Sequence, residues 1–489
     1  MERREEAVTK NVPERLAEDL SAYVSSRIGM SFPRERWEEL TEKVGRAAKS
    51  RGFGSVVECI EWLLSSPFGK SRLDLISGCL TVGETFFFRE ANTLTALSEL
   101  AFPEILRAHE GGEHRVRIWS AGCATGEEPY SVAMLANEYP GFRGWSVSIL
   151  GTDINPVFLR KAETGLFSEW SFRGVDARIR EKFFRKSEGN LYELLPSIRA
   201  MVTFSRLNLV EDAYPALLNG TNSLDLVLCR NVLIYLGADH ARRVALKLHQ
   251  CLLPHGWLAL SPVEAALAPR GEFTQVFHSG AILCRKASEL AEPAEATTPA
   301  PAGVTQGTRA RRAPVQTRSR PPATYRRAQE LCARADYPGA IEVLQELLNR
   351  SGVDAAALLL LARSYANRGM FPQAEQWCAR AVAAEPQAAP CRYLHGLILV
   401  EQNRVSEAVS ALRKAIYLDP DFAVAHVALA HLYRRAGKRA LSSRCFRNAL
   451  LSLRKFPADC EPPEAEGMTA GALSAMIAAE GADWRNDGQ

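Results

Sequence analysis

The sequence predicts an α/β domain with a largely parallel sheet, preceded by a helical domain and followed by an all-α solenoid of paired helices. Three observations predict it. Between residues 115 and 286, short β-rich runs ("VRIW", "WSVSILGTD", "LDLVLC", "GWLALS", "AILCRK") alternate with stretches of helical spacing, the signature of strands joined by crossover helices. Residues 14–80 carry helical spacing. After residue 322, small residues recur with a 34-residue period.

The N-terminal domain, residues 1–84, is read from segments such as "PRERWEELTEKVGRAAKSRG", which place Trp37, Leu40 and Val44 on one helix face. Lys43, Arg46 and Lys49 share another face. It is either a solvated surface or one that steers an acidic substrate.

The α/β domain spans residues 85–287. In open α/β sheets, ligands bind beyond the carboxyl ends of the strands, so the candidates sit there. The first strand runs into "SAGCATGEE". This loop lacks GxxxxGK[ST], GxGxxG and any Lys or Arg, which disfavours a P-loop nucleotide or a nicotinamide dinucleotide. Glu127 and Glu128 open the next helix, where they would repel a phosphate and suit a cation; acids in a first helical turn are also ordinary caps. The second strand ends in Asp153, a position that takes ribose hydroxyls or starts an Asx turn before Asn155-Pro156. Together the two corners point to a cationic adenosyl ligand without phosphate, S-adenosylmethionine. "FSRLNLVED" places Asn208 and Leu209 after a strand, and "LDLVLCRNVLIYL" carries a strand into Arg230, Asn231 and Tyr235. Asn231 faces the crevice or is a turn residue. "TVGETFFFREANT" sets Thr85 and Arg89 around three phenylalanines; such a run is commonly core, and Arg89 has Glu90 or solvent as plainer partners.

Residues 288–322 are rich in Ala, Pro, Thr and Arg and read as a disordered linker. Beyond it, Ala340, Ala374 and Ala408 keep the 34-residue interval, as do Ala381, Ala415 and Ala449, and Pro386 and Pro420. This is the tetratricopeptide signature. It gives about four repeats over 323–456 with a concave binding face, then a tail, 457–489. The repeats are expected to be an independent module on a flexible arm, serving an unknown protein partner. Truncation after about residue 287 is expected to leave a folded enzyme.

Composition narrows the classes. The chain has 489 residues, 47% of them hydrophobic, and a net charge of +4, which carries no nucleic-acid signature. Its 11 cysteines include no CxxC pair, and the charged N-terminus lacks an apolar leader, so the expected setting is the cytoplasm with reduced thiols. No apolar run reaches the ~18 residues of a membrane span, so no direct membrane insertion is expected.

Taken together, "TFFFRE", "WSAGCATGEEPYS", "GTDIN", "LNL" and "LCRNVLIYL" resemble the chemotaxis receptor glutamate O-methyltransferases of the CheR type, in order and approximate spacing, over about residues 15–286. The resemblance implies a class I methyltransferase (Rossmann-like) domain behind an N-terminal helical domain. It further implies S-adenosylmethionine as cofactor, S-adenosylhomocysteine as product, and glutamates of methyl-accepting chemoreceptors as acceptors. It places Thr85, Arg89 and Glu128 at the methionine end, Gly122 in the cofactor loop and Asp153 at the ribose. Asn208 and Leu209 fall near the adenine, and Arg230 and Asn231 line the cofactor. It implies a small antiparallel subdomain over about 165–203. Gly83 departs from the family, which often has Asn there. A glutamate carboxylate is ionised at about pH 7, so no general base is required, and no G-x-S-x-G or metal-spaced His cluster is visible in the sequence. Tyr235 is the candidate for orienting the acceptor. The alternative from another class is a signalling scaffold with a degenerate site, acting through its repeats.

Overall fold

Among the described residues, four helices come first: α1 (Glu14–Ile28), α2 (Trp37–Ser50), α3 (Val56–Leu64) and α4 (Lys70–Leu80). The computed structural model describes residues 12–65, 69–111, 114–211, 213–269, 271–287 and 323–480; the linker reading of 288–322 lies outside them. On α1, Leu20, Val24 and Ile28 repeat every fourth residue and are buried, as an amphipathic helix requires. The helix stops at Gly29, whose φ is 72°. A Cβ there would also lie 2.4 Å from Val210 of the α/β domain, so glycine both ends the helix and lets the two domains touch. On α2 two of the three basic residues of that face are locally neutralised: Lys43 pairs with Glu39 at 2.8 Å and Arg46 with Glu42 at 2.9 Å. That pairing weakens the steering reading.

The central sheet has seven strands: β1 (Arg115–Ala121), β2 (Ser146–Asp153), β6 (Val202–Arg206), β7 (Leu224–Leu228), β8 (Leu252–Ala259), β9 (Phe273–His278) and β10 (Ala281–Lys286). Their spatial order is β6-β2-β1-β7-β8-β10-β9. β6, β2, β1, β7 and β8 pair in parallel, and β10 is antiparallel to both its neighbours. The order reverses between β1 and β7, which fixes the switch point where an open α/β sheet binds its ligand. Helices α5 (Glu127–Glu138), α6 (Pro156–Thr164) and α7 (Ala238–Cys251) cover the sheet. A second sheet of β3 (Leu166–Ser168), β4 (Phe184–Lys186) and β5 (Leu191–Leu194), in the order β3-β5-β4, is antiparallel. Phe87 fills its base, packing on Phe167, Phe172 and Phe184 at centroid distances of 4.7–5.1 Å.

Eight further helices form four pairs: α8 (Ala323–Ala333) with α9 (Tyr337–Ser351), α10 (Ala355–Asn367) with α11 (Phe371–Ala384), α12 (Ala389–Glu401) with α13 (Val405–Leu418), and α14 (Ala423–Arg435) with α15 (Arg439–Leu453). The periodic small residues make the close approaches: Ala340, Ala374, Ala408, Ala381, Ala415 and Ala449 are all fully buried. A Cβ on Gly396 would lie 2.7 Å from Leu412.

The expectation of an independent repeat module is not met. Strand alternation sends Val116 and Ile118 to one side of the sheet and Arg117, Trp119 and Ala121 to the other. On that second side, residues 207–223 cross from β6 to β7 with no helix among those described, so an apolar face needs cover. The repeats and a final helix, α16 (Ala470–Glu480), provide it. Trp119, Leu217 and Leu224 share one hydrophobic core with Tyr393, Leu473 and Ile477. Polar contacts fix the seam. Glu401 pairs with Arg115 at 3.1 Å and Arg117 at 3.2 Å; Ser223 donates to the Asn367 carbonyl at 3.1 Å. The backbone N–H of Leu217 donates to Glu466 at 2.7 Å, and Arg363 pairs with Glu464. The chain's own tail thus engages α10, the first helix of its pair, through Arg363.

Candidate cofactor crevice

The loop after β1 turns through three left-handed residues, Gly122 (φ 78°), Ala124 (φ 46°) and Gly126 (φ 94°). A Cβ on Gly122 would sit 2.4 Å from Val232, and one on Gly126 would sit 2.7 Å from Ala162. The loop therefore packs tightly against the turn after β7 and against α6. It opens a crevice whose walls include Thr85, Phe86, Arg89, Gly122, Glu128, Ser131, Arg230 and Asn231. Six of the residues assigned to the site from sequence meet here. Asp153, Asn208, Leu209 and Tyr235 are not among its walls.

The two acids that open α5 do different work. Glu127 is buried and accepts from Thr125 at 2.6 Å and Ser171 at 2.9 Å; it ties the small sheet to the loop. Glu128 faces the crevice, accepting from Ser120 at 2.7 Å and Arg230 at 3.1 Å. Burial pushes its carboxyl above the usual range, and Arg230 opposes that shift. Arg230 is itself buried. It pairs with Glu90 at 3.0 Å and donates to the Arg89 carbonyl at 2.6 Å, so it holds the segment that carries Arg89. The pairing of Arg89 with Glu90 is thereby replaced. Arg89 donates to the Glu84 carbonyl at 2.8 Å, which leaves most of its guanidinium for the crevice.

In the 85–90 segment, Phe87 is core while Phe86 faces the crevice. Phe88 and Glu90 are left-handed (φ 57° and 55°), conformations that non-glycine residues hold only when contacts enforce them. Ser131 supplies one by accepting from the Phe88 N–H at 2.9 Å. At Gly83, a Cβ would lie 2.7 Å from the Phe158 ring of α6, so the ring occupies the space that an asparagine would need.

Asp153 shows the Asx turn weighed from sequence: Oδ1 accepts from the Asn155 N–H at 2.8 Å and Oδ2 from the Ala124 N–H at 2.9 Å. One carboxylate thereby joins the ends of β1 and β2. Burial raises its pKa to about 6, against the backbone hydrogen bonds that lower it. The Asn208 amide donates to the Arg27 carbonyl at 2.8 Å and to Glu211 at 3.1 Å, pinning the crossover to the N-terminal domain. Leu209 is buried in the core and its carbonyl accepts from Tyr214 at 2.6 Å. Tyr235 is 38% exposed.

Sequence reasoning missed Glu264. It is fully buried and accepts from the N–H groups of Asn231 (2.8 Å), Val232 (2.8 Å) and Ile234 (3.2 Å) and from the Ser261 hydroxyl (2.5 Å). Asn231 stands at φ 58°, and this carboxylate fixes it there. The signal was present as Ser261-x-x-Glu264, a capping-box pattern, but without a long helix behind it.

The donor set fits S-adenosylmethionine. The buried Arg230 Nε has no hydrogen-bond partner and Arg89 is largely free for a carboxylate, while Glu128 suits a cation. Comparison with known proteins agrees. Residues 83–280 match the model for the CheR methyltransferase, SAM binding domain, and residues 331–398 and 396–437 match tetratricopeptide repeat models. The chain is 31% identical over 401 residues to a probable biofilm formation methyltransferase, WspC, of Pseudomonas putida, covering 79% of this chain and 88% of that one. It is 31% identical over 380 residues to the WspC of Pseudomonas aeruginosa, covering 75% and 84%. It is 30% identical over 231 residues to chemotaxis protein methyltransferase 1 of Pseudomonas aeruginosa, covering 46% and 81%. With this strand order, this crevice and these matches, the chain belongs to the CheR family of S-adenosylmethionine-dependent methyltransferases and carries tetratricopeptide repeats at its C-terminal end.

Proposed function

We propose that this chain methylates glutamate side chains of methyl-accepting chemoreceptors in a chemosensory system, forming glutamyl methyl esters. The observation that carries the reading is the charge pattern of the crevice: Glu84 and the buried Glu128 with the guanidinium groups of Arg89 and Arg230, no phosphate loop, and a carboxylate joining the first two strand ends. Relatives named as chemotaxis and biofilm formation methyltransferases support it. Arg89 and Arg230 would hold the carboxylate of the methionine end, with Glu128 and Thr85 beside them. Asp153 would take the ribose hydroxyls. Asn208 serves the adenine end indirectly by pinning the segment that carries Leu209.

The bound cofactor supplies an electrophilic methyl group. The acceptor carboxylate is already ionised at about pH 7, so the chain's task is to position it and exclude water. Tyr235, exposed beyond the Asn231 turn, is the proposed orienting group. No helix among the described residues is long and apolar enough to cross a membrane, and the reading has the protein working on the cytoplasmic side of its receptor. The test is transfer of tritiated methyl from S-adenosylmethionine to receptor-bearing membranes, read as methanol released by mild alkali. Alkali-stable label would assign another acceptor. Cofactor binding with no transfer to any chemoreceptor would favour the scaffold alternative.

A further inference from the structure

Away from the crevice, at the opposite ends of the strands, His109, Asp225 and His255 converge. Their ligand atoms all lie within 4.8 Å of one another. They come from three separate segments. His109 follows the helix Phe102–Ala108, Asp225 is the second residue of β7, and His255 lies in the first half of β8. Nε2 of His109 stands 2.7 Å from Asp225 Oδ1, and Nε2 of His255 stands 3.2 Å from the same oxygen. The imidazoles meet edge-to-face at 5.3 Å and 84°, so both nitrogens approach one oxygen from different directions.

We propose that this cluster is a binding site for a divalent transition metal of the zinc class, with His109 Nε2, His255 Nε2 and Asp225 Oδ1 as ligands. Two imidazoles and a carboxylate are a donor set that zinc accepts, with a water completing four-coordination. The surroundings meet the other requirements. Asp225 Oδ2 accepts from the Arg117 N–H at 2.8 Å, an outer hydrogen bond of the kind that orients a ligating carboxylate. Asp225 has 2% side-chain exposure, whereas His109 and His255 have 19% and 31%; the carboxylate is held inside and the imidazoles leave an entry path. The competing arrangement is a hydrogen-bonded triad, in which each Nε2 carries a proton and donates to Asp225. Metal binding requires both Nε2 atoms to be bare, so it displaces those protons.

The site would clamp three segments beneath the repeat seam, because the residue whose backbone bonds Asp225 is Arg117, which pairs with Glu401. The test uses the full chain, stripped with a chelator. Zinc is titrated by calorimetry, and cobalt by its visible absorption, near neutral pH. The expected result is one zinc per chain with micromolar or tighter affinity, four-coordinate cobalt bands and a raised melting temperature. His255→Ala, at a partly exposed position, should weaken zinc at least about tenfold, in line with loss of a ligand, and remove the cobalt bands. His109→Ala, checked for native circular dichroism, is the second variant. Absence of stoichiometric zinc binding, or unchanged zinc affinity in His255→Ala or in a folded His109→Ala, overturns the proposal and leaves a hydrogen-bonded triad only.

Discussion

Arg89 and Arg230 both face the crevice, yet their removal should look different. Arg230 is buried against Glu128 and Glu90, so Arg230→Ala strands a buried carboxylate. Removing one partner of a buried pair costs about 3–5 kcal/mol, and we expect a clear fall in melting temperature together with lost cofactor affinity. Arg89→Ala should weaken S-adenosylmethionine about tenfold or more with little change in melting, the loss of one charge-assisted hydrogen bond. Calorimetry and thermal melts on both variants check this; equal melting temperatures would refute the distinction. Asp153 adds a pH signature. Its folded pKa of about 6 lies above the unfolded value of 3.8, so the native state holds the extra proton between them, and the group's contribution to stability falls as pH rises from 4 to 6. Ribose hydroxyls donate to the ionised form. Cofactor affinity should therefore decline below about pH 6, approaching tenfold per pH unit, and Asp153→Asn should flatten that profile. Sequence alone singled out Asp153 as a candidate because it ends an apolar run, and Glu128 and Arg230 because their neighbours carry motifs. It could not show that Arg230 and Glu128 pair, since they lie 102 residues apart and meet only when β1 and β7 become neighbours.

At the scale of elements, the turn after β7 rests on one carboxylate from the segment after β8. Glu264→Ala would orphan four backbone N–H groups, those of Asn231, Val232, Ile234 and Ser261, and the Ser261 hydroxyl. Each buried unsatisfied donor costs about 1–3 kcal/mol, so a total loss of about 3 kcal/mol or more is expected in chemical denaturation. Cofactor binding should fall with it, although Glu264 is not a wall of the crevice. Normal stability in the variant would show that water replaces the carboxylate. The parallel strands were legible as apolar runs and the repeats as a strict period. The capping role of Glu264 was not, because it depends on two turns that are distant in sequence. The three phenylalanines split the same way. Periodicity could not tell that Phe87 would enter the small sheet's core while Phe86 faced the crevice, because left-handed turns at Phe88 and Glu90 redirect the chain.

For the whole molecule, the sequence suggested two machines on a tether, and the structure shows one shared core. The cause is a single missing element: the crossover from β6 to β7 has no helix among its described residues, so the sheet face around Trp119 is covered by the repeats and α16. A sequence window cannot register an absent helix whose substitute lies some 250 residues downstream, although the pairing of Leu217 with Glu466 spans 249 positions. The consequence is testable. Truncation after residue 287 should expose this apolar face and leave Arg117 without Glu401. We expect the truncated chain to bind a hydrophobic dye, to melt at lower temperature and to aggregate, whereas the full chain should melt with the repeats and catalytic domain in one transition. Glu401→Gln in the full chain separates charge from burial. It keeps the packing but leaves the buried Arg117 and its neighbour Arg115 facing a neutral amide, so a smaller loss of about 1–3 kcal/mol is expected. A truncated protein with full-length stability and cofactor affinity would mean that the face tolerates water and that the repeats dock without being required.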